Sequence, residues 1–238
     1  MSSEYIILHD SPHTQTMAWE EPTEAPVRKL ALALAKPEST TPDSSFLTPN
    51  AVKSLIDQQI QVFIQYGFAN HNPFSDTDYA DMGVEFAVQY LDLATASRVV
   101  LKFDAFTTDQ LALAHEQQVL CSILPPADIS AEYMEAANAR HVTLVCLGNI
   151  LHPDGLPAME AIRKVTLSDA GFQIALSNFV LPVVETLVHS PTLSYALQRN
   201  PALSQGVLCH AGSICDKTVA ERLHLPWKDV LSLCWDLN

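Results

Sequence analysis

From Arg28 to Leu147 the chain alternates short apolar runs with longer segments of helical spacing, and this alternation narrows the possible folds more than any other feature. Leu30-Ala31-Leu32-Ala33-Leu34, residues 61–66, Arg98-Val99-Val100-Leu101-Lys102-Phe103, residues 119–124 and residues 142–147 read as strands. Strands separated by helical segments favour parallel pairing, because a crossover needs a dozen or so residues. The prediction is an α/β fold: a doubly wound, mainly parallel sheet flanked by helices.

The helix starts carry local signals. Thr48-Pro49 combines an N-cap hydroxyl with a proline at the first helical position, where the missing N–H does no harm. Ser75 caps a brief helix through Asp78 and Tyr79 that Gly83 ends, residues 109–115 form another, and Ser130 caps a third. After Pro157 the texture is helical. Residues 168–189 are apolar throughout with Pro182 inside, which predicts a long helix kinked or broken near Leu181. Pro191 opens a further helix through Leu197, and Asp216 caps one over 217–223. Trp19, Trp227 and Trp235 read as anchors that dock the chain ends. The expected organisation is an N-terminal arm or leader (1–27) and a single domain (28–238). That domain has an N-terminal half (28–150), a connector (151–167) and a helical C-terminal half (168–238) that completes it.

Composition removes several functions. A dinucleotide fingerprint needs three glycines within six residues, so that backbone can approach a pyrophosphate at a helix start. The chain has seven glycines, at 67, 83, 148, 155, 171, 206 and 212, and neither GxGxxG nor a P-loop can be written with them. No nucleotide cofactor is therefore expected. A formal net charge of -14 argues against nucleic acid and anionic membranes as partners. No stretch reads as a membrane span, and Met1-Ser2-Ser3-Glu4 lacks a signal-peptide pattern, so a cytoplasmic location is expected. Cys121, Cys146, Cys209, Cys215 and Cys234 are odd in number and lack CxxC spacing, which favours buried free thiols. A metal reading would use Cys209, His210, Cys215 and His224, but two clean ligand pairs are absent; no metal is expected.

Several motifs, in order, carry a resemblance. They are Lys36-Pro37-Glu38, Phe46-Leu47-Thr48-Pro49, Phe74-Ser75-Asp76 through Asp78-Tyr79 to Met82-Gly83, and Gly155-Leu156-Pro157 with Met159-Glu160. Later come Ile174-Ala175-Leu176-Ser177-Asn178-Phe179-Val180-Leu181-Pro182 and Asn200-Pro201-Ala202-Leu203-Ser204-Gln205-Gly206. Together these resemble the alanine dehydrogenases and the related transhydrogenase alpha subunits over about residues 30 to 235. The resemblance implies a substrate domain split into two halves. The NAD-binding domain that separates them in the family is deleted here.

The family's chemistry does not carry over with the motifs. Family members hold the keto acid with an arginine before the ALTP motif and the second lysine of V-K-V-K-E-P, and a histidine after a Q-I-L-F strand transfers protons. By alignment these positions fall on Ser44, Asp104 and Pro125, with Lys102 in place of the first lysine. A carboxylate wants a bidentate guanidinium, and Ser44 offers a neutral hydrogen bond. Asp104 would repel a carboxylate, and Pro125 cannot act as acid or base. No catalytic residue is therefore assigned.

Three functions follow. The first is a non-catalytic homologue of alanine dehydrogenase (a pseudoenzyme) with a regulatory or structural role. It would act as a homo-oligomer, a dimer for preference, or by binding a full-length alanine dehydrogenase or transhydrogenase subunit. The second is a small-metabolite module with Ser44, Lys102 and Asp104 near the floor of its cleft, suited to an amino acid or amine. The third is a subunit that completes an NAD-dependent alanine dehydrogenase or transhydrogenase in trans.

Overall fold

The computed structural model of the chain describes residues 30–38, 46–69, 73–125, 129–151, 155–166 and 168–236. The expected arm over 1–27, with Trp19, and the candidate Ser44 lie outside the described residues. In the first part, β1 (Ala31–Ala35), β2 (Gln61–Gln65), β3 (Glu85–Ala87), β4 (Val99–Lys102), β5 (Val119–Ser122) and β6 (Thr143–Cys146) alternate with helices. These are α1 (Pro49–Asp57), α2 (Asp76–Ala80), α3 (Tyr90–Ala96), α4 (Thr108–Ala112) and α5 (Ala131–Ala139). The second part contains α6 (Ala158–Val165), α7 (Asp169–His189), α8 (Leu193–Arg199), β7 (Val207–His210), β8 (Ser213–Ile214), α9 (Lys217–Leu223) and α10 (Val230–Asp236).

The strands form one sheet in the order β3-β2-β1-β4-β5-β6-β7-β8. The pairings from β3 to β6 are parallel, and those of β7 and β8 are antiparallel. The architecture is thus the mostly parallel, helix-flanked α/β fold that the alternation predicts. Both faces are covered, as a parallel sheet requires. Successive side chains along a strand face opposite sides. Leu32, Leu34, Val99 and Leu101 join one core with α1, α7 and α8. Ala33, Ala35, Val100 and Leu120 join the other with α3, α5 and α9.

The caps behave as the sequence requires. Thr48, Ser75, Ser130 and Asp216 each accept from a backbone N–H in the first turn of their helices. Gly83 takes a left-handed φ of 93° after α2, a conformation open to glycine at little cost.

Some expectations are refined or corrected. The helix containing Pro182 is unbroken from Asp169 to His189. Leu176, Val180, Val183, Val184 and Leu187 are buried along it, and that burial outweighs the roughly 3 kcal/mol that an interior proline costs. The same helix, over Ala170–His189, is long and apolar enough to cross a membrane by length and composition, contrary to the sequence reading. Half of it is buried inside this protein, where apolar residues all round serve a core helix. The stretch over 151–167 contains α6, and within the largely helical C-terminal half β7 and β8 extend the sheet. Trp235 is 69% exposed and Trp227 is 40% exposed. Trp235 does not anchor the end of the chain, whereas Trp227 receives the Lys217 ammonium over its ring, 5.7 Å from the centroid.

Candidate functional site

β1 and β4 lie side by side, yet the chain leaves β1 toward β2 and leaves β4 toward β5. The crevice outside their carboxyl ends is therefore a topological switch point, where open α/β sheets bind ligands. Ala35 at the end of β1 pairs in register with Lys102 at the end of β4. The chain then continues into Lys36-Pro37-Glu38 on one side and Phe103-Asp104 on the other, and these two turns form the floor of the crevice. Glu38 N donates to Asp104 Oδ2 at 2.7 Å, tying the turns together.

Lys102 is the centre of the cluster. It shares a strand face with Val100, so its side chain runs beneath α4, and it has no exposed surface. Its Nζ lies 2.9 Å from Gln110 Oε1, 3.2 Å from the Ala105 carbonyl, 3.3 Å from Asp104 Oδ1 and 3.4 Å from Glu38 Oε1. An ammonium has three N–H donors, and it faces four acceptors here. None is left for a substrate carboxylate. Buried charge is tolerable on such terms because it is paired and hydrogen-bonded.

Gln110 is held by a helix cap. Thr107 Oγ1 accepts from Gln110 N at 3.2 Å, and Gln110 Oε1 accepts from Thr107 N at 3.0 Å, which closes a capping box at the start of α4. The same amide donates through Nε2 to Glu38 Oε1 at 3.1 Å. The sequence reading did not single out Gln110. The Thr107-x-x-Gln110 pattern was a visible signal for the cap, but its contact with Lys102 needs the fold. Glu38 belongs to the Lys36-Pro37-Glu38 motif, and in the structure it is a partner of the buried lysine.

The electrostatics of the mouth follow. The Glu38 side chain is 56% exposed and that of Asp104 is 20% exposed, against none for Lys102. The crevice therefore presents carboxylates outward and hides its ammonium. Lys36, exposed on the same edge, is a further cation there, and its backbone N–H donates to Gln65 Oε1 at 3.2 Å. Pro125 is exposed beyond the end of β5, at this same sheet edge, and carries no titratable group. The structure thus gathers Lys102 and Asp104 into one network and places Pro125 outside it.

The two halves of the chain meet beside this edge. Thr48 N donates to Ser177 Oγ at 3.1 Å, joining the cap of α1 to α7 across 129 positions of sequence. Phe74, Ile174, Asn178 and Leu181 line a groove of about 620 Å³ next to that contact. His115 and His141 lie at the opposite edge, before β5 and β6. Burial pushes the Cys209 and Cys215 thiols up to about 12, so neither supplies a thiolate nucleophile.

The family model described as "Alanine dehydrogenase/PNT, N-terminal domain" matches residues 44–165. Among solved structures, an L-alanine dehydrogenase is similar with a TM-score of 0.64 at 12% identity, over 79% of this chain and 98% of that one. A transhydrogenase from Sinorhizobium meliloti is similar with a TM-score of 0.45 at 16% identity, over 55% of this chain. The match spans 39% of the transhydrogenase chain. Sequence comparison with curated proteins finds no significant match.

Proposed function

Since the chain belongs to the alanine dehydrogenase/PNT N-terminal domain family, we propose that it is a non-catalytic member with a regulatory or structural role. It acts by self-association, as a dimer, or by binding a full-length alanine dehydrogenase or transhydrogenase subunit. One observation carries this reading: the lysine at the switch point is consumed by Glu38, Asp104, Gln110 and the Ala105 carbonyl. Asp104 and Pro125 at the family's lysine and histidine positions support it, as does the lack of any glycine triplet for a dinucleotide.

The test combines an assay with a mass measurement. The purified chain with alanine and NAD should form no NADH, alone or mixed with a full-length relative, while light scattering should show a dimer or a mixed complex. NADH formed by the chain alone would overturn the reading. NADH that appears only on mixing would move it to catalysis in trans. A monomer that binds no relative would remove the regulatory role.

A second reading has its own support. The carboxylates of Glu38 and Asp104 at the crevice mouth suit an amine or the ammonium of an amino acid. Binding there should raise the melting temperature with amines and leave it unchanged with keto acids. Flat curves across both classes would count against it.

A further inference from the structure

A cavity of about 890 Å³ lies at the other end of the sheet, at the amino edge of β1, β4, β5 and β6. That volume is in the range of small-molecule sites. Its walls are apolar where Leu30, Val119, Val188 and Leu193 meet, and polar where the strand-entry turns close it.

Two of those turns keep side chains where glycine is the usual choice. The residue that follows a helix end in the left-handed region is most often glycine. Here it is His141 (φ 52°) after α5, and Gln117 (φ 64°) is likewise left-handed in the turn that enters β5. Both line the cavity, as does Ala211 (φ 47°) in the turn between β7 and β8. Gly212 makes room for the His141 ring: a Cβ there would lie 3.1 Å from both Cε1 and Nδ1. The ring is thereby seated against the turn that follows His210.

Two imidazole rings on this wall keep a nitrogen free for a ligand, whereas Arg98, His115 and His189 are engaged with carbonyl oxygens. His210 Nδ1 is 2.8 Å from Thr143 Oγ1, and burial lowers the tendency of this imidazole to protonate. A neutral ring that accepts from the threonine hydroxyl at Nδ1 carries its proton on Nε2. Neither that Nε2 nor the His141 ring has a hydrogen-bond partner among the described residues. Around them stand Arg98, His115 and His189, with Cys234 on α10. Arg98 donates to the carbonyls of Leu187, Ser190 and Pro191. Glu116 is the one carboxylate among the described lining residues. Arg98 and Glu116 offset each other in charge, so the imidazole N–H groups of His141 and His210 give the cavity its preference for an acceptor such as a carboxylate.

We propose that this cavity is a binding site for a small organic carboxylate with an apolar body, its carboxylate on His141 and His210 and its body against Val119 and Leu193. The site is separate from the switch-point crevice and does not depend on the function proposed for it.

The test uses 4-phenylbutyrate and its neutral analogue 4-phenylbutanol, titrated calorimetrically into the full chain near neutral pH. The acid should bind saturably at one site, and the alcohol roughly ten-fold or more weakly, a loss of about 1.4 kcal/mol. H141G should lose about the same factor while melting no lower than the parent, because glycine accepts the left-handed φ more readily. H141N, which also tolerates that φ, should lose affinity likewise. Lys102→Met at the other sheet edge should bind as the parent does. The proposal is overturned by no saturable binding of the acid, by equal affinity for the alcohol, or by full affinity in folded H141G and H141N.

Discussion

Lys102 Nζ and Gln110 Oε1 lie 2.9 Å apart inside the protein, and the amide that receives this ammonium also closes the N-terminal cap of α4. The lysine at the switch point is thus part of the internal architecture. Its energetics are testable because its partners differ in exposure.

Gln110→Leu should destabilise the fold by about 2–4 kcal/mol, since it leaves a buried ammonium short of an acceptor and opens the cap. Lys102→Met should cost less, about 1 kcal/mol, because Glu38 and Asp104 reach water and can be rehydrated. Urea denaturation of both variants checks the order. A larger loss in Lys102→Met would mean that the ammonium is a net stabiliser.

Tyr79 is fully buried and donates its hydroxyl to the Leu47 carbonyl at 2.6 Å, fastening α2 to the turn before α1. Its ring also meets Phe68 edge-on at 5.5 Å. Tyr79→Phe keeps the ring packing and strands the carbonyl, so it should cost about 1–2 kcal/mol. The midpoint of urea denaturation reads this directly.

Gly206 holds the segment before β7 against β6, where an added Cβ would come within 2.6 Å of the Cys146 carbonyl. Backbone cannot yield as a side chain does. Gly206→Ala should therefore destabilise by roughly 2–3 kcal/mol through overpacking. Hydrogen exchange should report faster opening of β7 and β8 than of β1 and β4, because β7 and β8 end the sheet.

His210 titrates below its ordinary range because burial disfavours the imidazolium. The sign follows from proton linkage: the unfolded chain binds this proton more readily. Stability from the neutral ring is fully present above the unfolded pKa, about 6.5, and is lost as pH falls through the lower folded value. His210→Gln should flatten the decline in melting temperature between about pH 7 and pH 5 relative to the parent. An unchanged slope would assign the acid sensitivity to other groups.

Much of the local structure was legible in the sequence, for reasons confined to a few neighbouring residues. Thr48-Pro49, Ser75 and Asp216 announce helix starts because a cap is a contact over three positions. The unbroken α7 was not legible, because whether Pro182 interrupts a helix depends on what the flanking turns bury. β7 and β8 escaped for a similar reason. Four and two residues long, they acquire strand identity by pairing with β6 and with each other rather than by any period of their own.

The sequence by itself determined the alternation that demands a parallel sheet, the helix caps and the missing glycine fingerprint. Those are properties of composition and of short-range spacing, and no tertiary arrangement can undo them. Only the tertiary structure decided that β1 and β4 are neighbours and that Lys102 meets Glu38 and Gln110, which lie 64 and 8 positions away. It also decided that histidines from separate turns share one cavity at the far edge. Strand order and burial are settled by the competition of many non-local contacts for one core, and a lysine's partners are settled only after that competition is over.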